Sequence, residues 1–266
     1  MHHYEQPPQQ EPPPEKRAPS GMYRVAVPLP VSPPRLTYAL LGMIVLIFMY
    51  YMSLSVLNQN LFLYDWAKVN DLIKDGEYYR LFTSMFLHLN LMHIFFNGYA
   101  LYVIGRDVEA LFGTARFALV YFLGGLSGSL ASFVFSDAPS VGASGAIFAI
   151  FGAEMVYFYL HRDLHGEAGR RHLNQLMVIM LINLGLGFFS TTGATDFRID
   201  NASHIGGLFG GVVLAWFISP NYNVERDVSA PSGMRVVDRN PMQHWALPSV
   251  LYAVGLVAIT AYAIAA

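Results

Sequence analysis

The sequence predicts an all-α polytopic membrane protein, and three observations carry that prediction. Apolar runs of about 17 to 22 residues recur along the chain, the length a helix needs to cross the hydrocarbon of a bilayer. Hydrophobic residues make up 54% of the chain and charged residues only 13%, about half the charged share of an ordinary soluble domain. The 16 lysines and arginines fall mostly into alternate connections between the runs, the asymmetry that orients a membrane protein.

Residues 1–34, with PPQQEPPPEK and VPLPVSPP, lack the apolar periodicity that builds a core. An extended or disordered tail is expected there. No apolar stretch follows a short basic one in it, so no cleaved signal peptide is expected. The predicted spans are 36–57, 83–104, 115–135, 144–160, 173–190, 202–218 and 246–266. The second and sixth are the least apolar, since they carry histidines, asparagines or many glycines. Residues 221–245, with NYNVERD and SAPSGMRVVDRN, form the longest polar break. They are read as a cytoplasmic linker between a six-helix core, 35–220, and a seventh transmembrane helix, 246–266.

With the tail cytoplasmic, the tail and the even-numbered connections hold every basic residue except Lys68, Lys74, Arg80 and Arg198. Seven crossings then leave the N-terminus inside and the C-terminus outside. The formal net charge of −2 and the absence of cysteine narrow the chemistry. Nothing points to nucleic acid, and no disulfide, thiolate nucleophile or cysteine metal site can form.

Polar side chains inside membrane spans are functional candidates by default. His88, His93 and Asn97 lie in the second span, Ser144 opens the fourth, and His204 lies near the start of the sixth, one turn after Asn201. These three spans run in the same direction, so Asn97, Ser144 and His204 can converge at a similar depth. A serine beside an imidazole that takes its proton is the minimal activated nucleophile. His93 and Asn97, four residues apart, share a helix face and can donate to an oxyanion beside the Ser144 backbone N–H at a helix N-terminus. A helix from Ser144 to Leu160 is about 25 Å long against a hydrocarbon core of about 30 Å. Ser144 then starts below the outer surface, under a water-accessible hollow roofed by SDAPSVGA.

Small residues allow the close approach a serine–imidazole pair needs. Gly145, Ala149 and Ala153 repeat at four-residue spacing, as do Gly207, Gly211 and Ala215, a pattern that lets helix backbones touch. Phe148, one turn after Ser144, is placed to pack on His204. Each feature alone has a plainer reading. A membrane serine is commonly a packing residue, and a lone histidine can hold a metal, a haem or a proton. His88 and His93, five apart, diverge on a helix and make a poor joint metal site. Nor is Ser144 in the soluble hydrolase elbow, since Ala146 stands where that motif has glycine.

Together, GASG at 142–145, HLNLMHIFFN at 88–97, GRDVEALFG at 105–113 and NASHIGGLFGG at 201–211 resemble a rhomboid-family intramembrane serine protease. The resemblance covers residues 80 to 218 in the right order. It implies a six-helix rhomboid-like bundle plus one C-terminal transmembrane helix. It also implies a dyad with Ser144 as nucleophile and His204 as general base and then acid, with no acidic third member. Asn97 and His93 would stabilise the oxyanion. Gly142, Gly145, Phe148, Gly207 and Gly211 would support the site, with His88 bracing the outer loop by hydrogen bonding. Two departures stand out: Tyr79-Arg80 where the family often has Trp-Arg, and Phe148 where tyrosine is common.

The family's substrates are transmembrane proteins, usually single-pass, cut within or near the bilayer at small residues, with no metal or organic cofactor. Compactness and the simple tail point to a bacterial plasma membrane, with a eukaryotic secretory membrane as the alternative. A rival reading is a catalytically silent relative that binds membrane proteins and directs their traffic or degradation; silent relatives generally lose the serine or the histidine. A third is a small transporter or channel, which would more often show inverted repeats or an intramembrane carboxylate. Only Glu154 lies near the middle of a span, about 15 Å along the helix from Ser144. It would face the bundle interior or support the cytoplasmic end through a hydrogen bond.

Overall fold

A computed structural model of the chain describes residues 29–190, 198–230 and 232–265. Most of the proline-rich stretch read as a tail therefore lies outside the described residues. The chain is a helical bundle, α1 (Arg35–Ser53) to α11 (Met242–Ala265). Among the described residues five helices are long and apolar enough to cross a membrane: α1, α7 (Thr114–Phe135), α9 (Arg162–Ser190), α10 (Asn201–Ile218) and α11. The shorter α8 (Ser144–Leu160) is also apolar, apart from Ser144 at its start and Glu154 at its middle.

The first two predicted spans need correction at their ends. The run 36–57 stops at Ser53, because Ser55 adopts an extended conformation and its side chain caps a new helix, α2 (Val56–Trp66). The second span begins later than residue 83. Residues from Asn70 to Phe86 form short turns, namely α3 (Asn70–Lys74), α4 (Arg80–Thr83) and a 3₁₀ turn at Ser84–Phe86. The crossing helix starts only after Asn90, whose side chain accepts the His93 N–H at 2.9 Å. It runs as α5 (Leu91–Ala100), a π-helical stretch (Leu101–Gly105) and α6 (Arg106–Phe112), ending where Gly113 turns to a φ of 80°. Its ten, five and seven residues give a length of about 33 Å. α9 likewise starts before the predicted 173, with a kink at Gly166.

An antiparallel hairpin, β1 (Tyr222–Arg226) and β2 (Met234–Asp238), occupies the segment read as polar linker. It is tied to the bundle. Arg116 at the start of α7 meets Asp238 at 2.8 Å and lies 5.4 Å over the Trp245 ring. The Tyr222 hydroxyl donates to the Leu111 carbonyl at 2.7 Å. The Asn240 amide donates to the Phe217 and Ser219 carbonyls at the end of α10.

The centre of the bundle is α7, α8 and α10. Lipid tails are as apolar as leucine, so helices associate here through close packing. Small residues decide how close. A Cβ on Gly207 would stand 2.0 Å from the Gly145 carbonyl oxygen, and one on Gly211 would stand 1.9 Å from the Ala149 carbonyl oxygen. Neither can hold any other residue without parting α8 from α10.

α1 is held by a charge. Glu109 of α6 is fully buried, and its two carboxylate oxygens accept the N–H groups of Leu36 and Thr37 at 3.0 and 2.8 Å. They also accept the hydroxyls of Thr37 at 2.7 Å and Thr114 at 2.8 Å. One carboxylate thus caps α1, complements its dipole and fastens it to the start of α7. Glu154, in the middle of α8, is buried and accepts from His172 Nε2 of α9 at 2.8 Å. It faces the bundle and joins α8 to α9.

Two outcomes follow for thermal unfolding of the purified protein in micelles. Gly211→Val lowers stability by about 3 kcal/mol, while Gly255→Ala, where a Cβ meets nothing within 4 Å, does not. Glu109→Ala lowers it by about 2 kcal/mol, from buried donors left without a partner.

Candidate active site

The nucleophile candidate sits where a loop becomes a helix. Gly142 adopts a φ of 133°, a conformation that a side chain strains against. Its N–H donates to the Ser84 carbonyl at 2.9 Å. A Cβ there would fall 2.7 Å from His93 Nε2 and 3.7 Å from Ser144 Oγ. His93 Nε2 and Ser144 Oγ therefore flank one point in space, and hydrogen is the only side chain that leaves it open. Ala143 follows as the N-cap of α8, whose first residue is Ser144.

The first turn of α8 lies directly on the first turn of α10. A Cβ on Gly145 would stand 2.7 Å from Ser203 Oγ, and the Gly145 carbonyl lies against Gly207. One turn after Ser144, the Phe148 ring stacks on the His204 ring with centroids 4.2 Å apart and planes 11° from parallel. His204 is buried, and its Nδ1 has no hydrogen-bond partner among the described residues. No hydrogen bond joins Ser144 to His204 among the described residues either. In ligand-free enzymes such bonds are often long and tighten when substrate binds.

The α10 helix that carries His204 is anchored at its start. Asp200 caps it, accepting the Ser203 N–H at 3.0 Å, and also accepts a hydrogen bond from Ser132 Oγ of α7. Asn201 donates to the Leu184 carbonyl of α9 at 3.1 Å, which makes it a brace between helices. Gly211 lies farther along α10, at the Ala149 contact.

Of the proposed oxyanion donors, His93 closes against Gly142 as described. Asn97, one turn farther along α5, is buried, with one amide hydrogen engaged by the His93 carbonyl at 3.0 Å. His88 differs from expectation in two ways. Because the helix begins at Leu91, His88 lies in the preceding loop, and its ring meets His93 edge-on with centroids 4.9 Å apart. The five-residue spacing therefore does not part these two rings. The Phe86 backbone lies beside His88, but neither ring nitrogen makes a hydrogen bond among the described residues. Its contact with the site is through the His93 ring. Among the described residues no cluster of three potential metal ligands occurs.

The connection between α1 and α5 is folded on Arg80. This buried side chain donates to Glu77 at 2.7 Å, to the Ala67 carbonyl at 3.1 Å and to the Tyr64 carbonyl. Tyr79 packs edge-on against Trp66, and its hydroxyl donates to Glu77 at 2.8 Å. Sequence reasoning passed over Lys68, Ser84, Ser132 and Asp200. Of these only Asp200 had a local signal, an acidic N-cap three residues before Ser203.

Comparison with known proteins agrees with the four motifs. The Rhomboid domain family matches residues 75–221, more than half of the chain. The chain is 44% identical over 149 residues to the Rhomboid protease GluP of Bacillus subtilis (strain 168), covering 56% of this chain and 28% of the relative. It is 36% identical over 155 residues to RHOMBOID-like protein 9, chloroplastic, of Arabidopsis thaliana, covering 58% and 34%. With RHOMBOID-like protein 1 of the same plant it shares 32% over 206 residues, covering 72% and 50%. The chain thus spans half or less of the length of these curated relatives. With its motifs, its multi-pass helical bundle and this match together, the chain belongs to the rhomboid family.

Proposed function

We propose that this protein is an intramembrane serine endopeptidase that cuts transmembrane proteins, chiefly single-pass ones, within or near the bilayer. The observation that carries the reading is the contact of the first turns of α8 and α10, Gly145 on Gly207 and Phe148 on His204. It brings the Ser144 turn against the His204 turn in the interior of the bundle. His204 takes the proton of Ser144 Oγ as the oxygen attacks the scissile carbonyl carbon, then delivers it to the departing amine. The oxyanion forms beside His93, Asn97 and the Ser144 N–H, donors already fixed by α5 and the start of α8. Water then attacks the acyl-serine, with His204 again moving the proton. Both transfers use side chains of the chain itself, so the reaction requires no metal or organic cofactor.

The distribution of basic residues supports an N-terminus in the cytoplasm and a C-terminus outside. The likeness to a Bacillus subtilis protein supports a bacterial plasma membrane.

Cleavage of a model single-pass substrate in liposomes tests the reading. The wild-type protein cleaves, and Ser144→Ala and His204→Ala each lose at least about a thousandfold in rate. Undiminished cleavage by either variant would refute the dyad. Absence of cleavage by every form, across several substrates, would favour the silent relative. Asn97→Ala lowers kcat by about a hundredfold with little change in KM. An equal loss carried by KM alone would remove Asn97 from the oxyanion site.

A further inference from the structure

Lys68 lies in the connection between α1 and α5, outside the membrane-spanning helices, yet it is almost fully buried. Its backbone pairs in both directions with Ser140, at 3.0 and 3.1 Å. Its ammonium donates to three carbonyls: Ser132 at 3.2 Å, Ser136 at 2.7 Å and Ala138 at 2.9 Å. Ser132, whose carbonyl also accepts the Ser136 N–H at 2.9 Å, and Ser136 mark the end of α7, where the helix dipole favours a cation. Asn70 completes this cap, donating to the Phe133 and Ser136 carbonyls at 3.1 Å each.

The segment so gripped leads straight to the active site. Ser140 is paired to Lys68, Gly142 donates to Ser84, and Ser144 is two residues further on. Lys68 and Gly142 both border one polar cavity of about 10 Å³, together with Ser132, Ser140 and Ser203. The charged groups facing Lys68 are Asp137, from the segment itself, and Asp200, the cap of the His204 helix. Lys68 therefore touches or faces the supports of both dyad residues without reaching either.

We propose that Lys68 is a positioning residue for the Gly142–Ser144 turn, holding it in attacking register only while its amine is charged. The ammonium has three hydrogens for three carbonyls. The neutral amine has two, and its lone pair must face one of the same oxygens, so deprotonation removes one tether and the attraction to Asp200. Burial lowers the Lys68 pKa from its ordinary 10.5 to about 8, opposed by Asp200 and Asp137. The change thus falls in an accessible range. Its sign separates positioning from stability. Between about pH 8 and 10.5 the unfolded chain holds the extra proton and the folded chain does not, so the Lys68 contribution to stability rises with pH. Alkaline loss of activity through Lys68 is therefore not unfolding.

The proposal rests on Ser144 as the nucleophile, and the test keeps the two apart. The full chain is assayed in liposomes from pH 6 to 10 with a single-pass model substrate, as wild type, Lys68→Arg and Lys68→Met. Amide exchange of residues 140–144, corrected for intrinsic rates, is followed in parallel, and unfolding is followed at each pH. Wild-type kcat falls about tenfold between pH 7 and 9 at unchanged KM, while exchange at 140–144 quickens and the unfolding temperature does not drop. Lys68→Arg, whose guanidinium stays charged, lacks both alkaline changes. Lys68→Met is slow at every pH and shows no alkaline step. An identical alkaline limb in wild type and Lys68→Arg, or full activity of Lys68→Met at pH 7, overturns the proposal. So does wild-type exchange that is the same at pH 7 and 9. If no form cleaves but the exchange step is present in wild type and absent in Lys68→Arg, the protease reading fails and the Lys68 tether stands.

Discussion

The backbone contact between α8 and α10 is the constraint on which the rest depends. Inside a bilayer no hydrophobic drive draws one helix to another, so closeness must come from the absence of side chains. Gly207 on the Gly145 carbonyl and Gly211 on the Ala149 carbonyl fix the separation of the two helices over two successive turns. That separation sets the distance between the serine turn and the histidine turn. It also lets Phe148 and His204 lie face to face, since stacked rings demand parallel planes only a few ångströms apart. A wider pair of helices would leave a serine and a histidine in one membrane protein with no shared chemistry.

Around that contact, charged groups do most of their work at helix ends. Glu109 accepts the opening N–H groups of α1, Lys68 donates to carbonyls at the end of α7, and Asp200 accepts an opening N–H of α10. The opening N–H groups have no helical partner, and the bilayer offers little water to replace one. A full charge with several hydrogen bonds satisfies them and joins distant segments in the same act. The connection between α1 and α5 is built likewise, with Arg80 gathering the carbonyls of Tyr64 and Ala67.

Much of this was legible in the sequence, for particular reasons. The seven apolar runs follow from length and hydropathy. The small-residue faces of α8 and α10 follow from four-residue spacing, which maps onto one side of a helix. Helix starts set by capping were less legible. Hydropathy carries His88 into a helix, whereas the Asn90 side chain delays that helix to Leu91 and so brings the His88 and His93 rings together. Lys68 was hidden for a different reason. Its partners are backbone carbonyls 64 to 70 residues away, which no residue pattern records. The His172 partner of Glu154 is similarly a tertiary fact, and the strands Tyr222–Arg226 and Met234–Asp238 are too short to stand out from a polar break.

The Glu109 cap has a consequence for biosynthesis. The carboxylate that closes the first turn of α1 lies 73 residues downstream of Leu36 and 72 downstream of Thr37. A nascent chain carries the first crossing into the bilayer well before that carboxylate has been made. Until translation has passed residue 109, the leading turn of α1 must leave its N–H groups to water at the membrane surface. The cap of the first helix is therefore completed only once residue 109 has been made and α6 has folded against it.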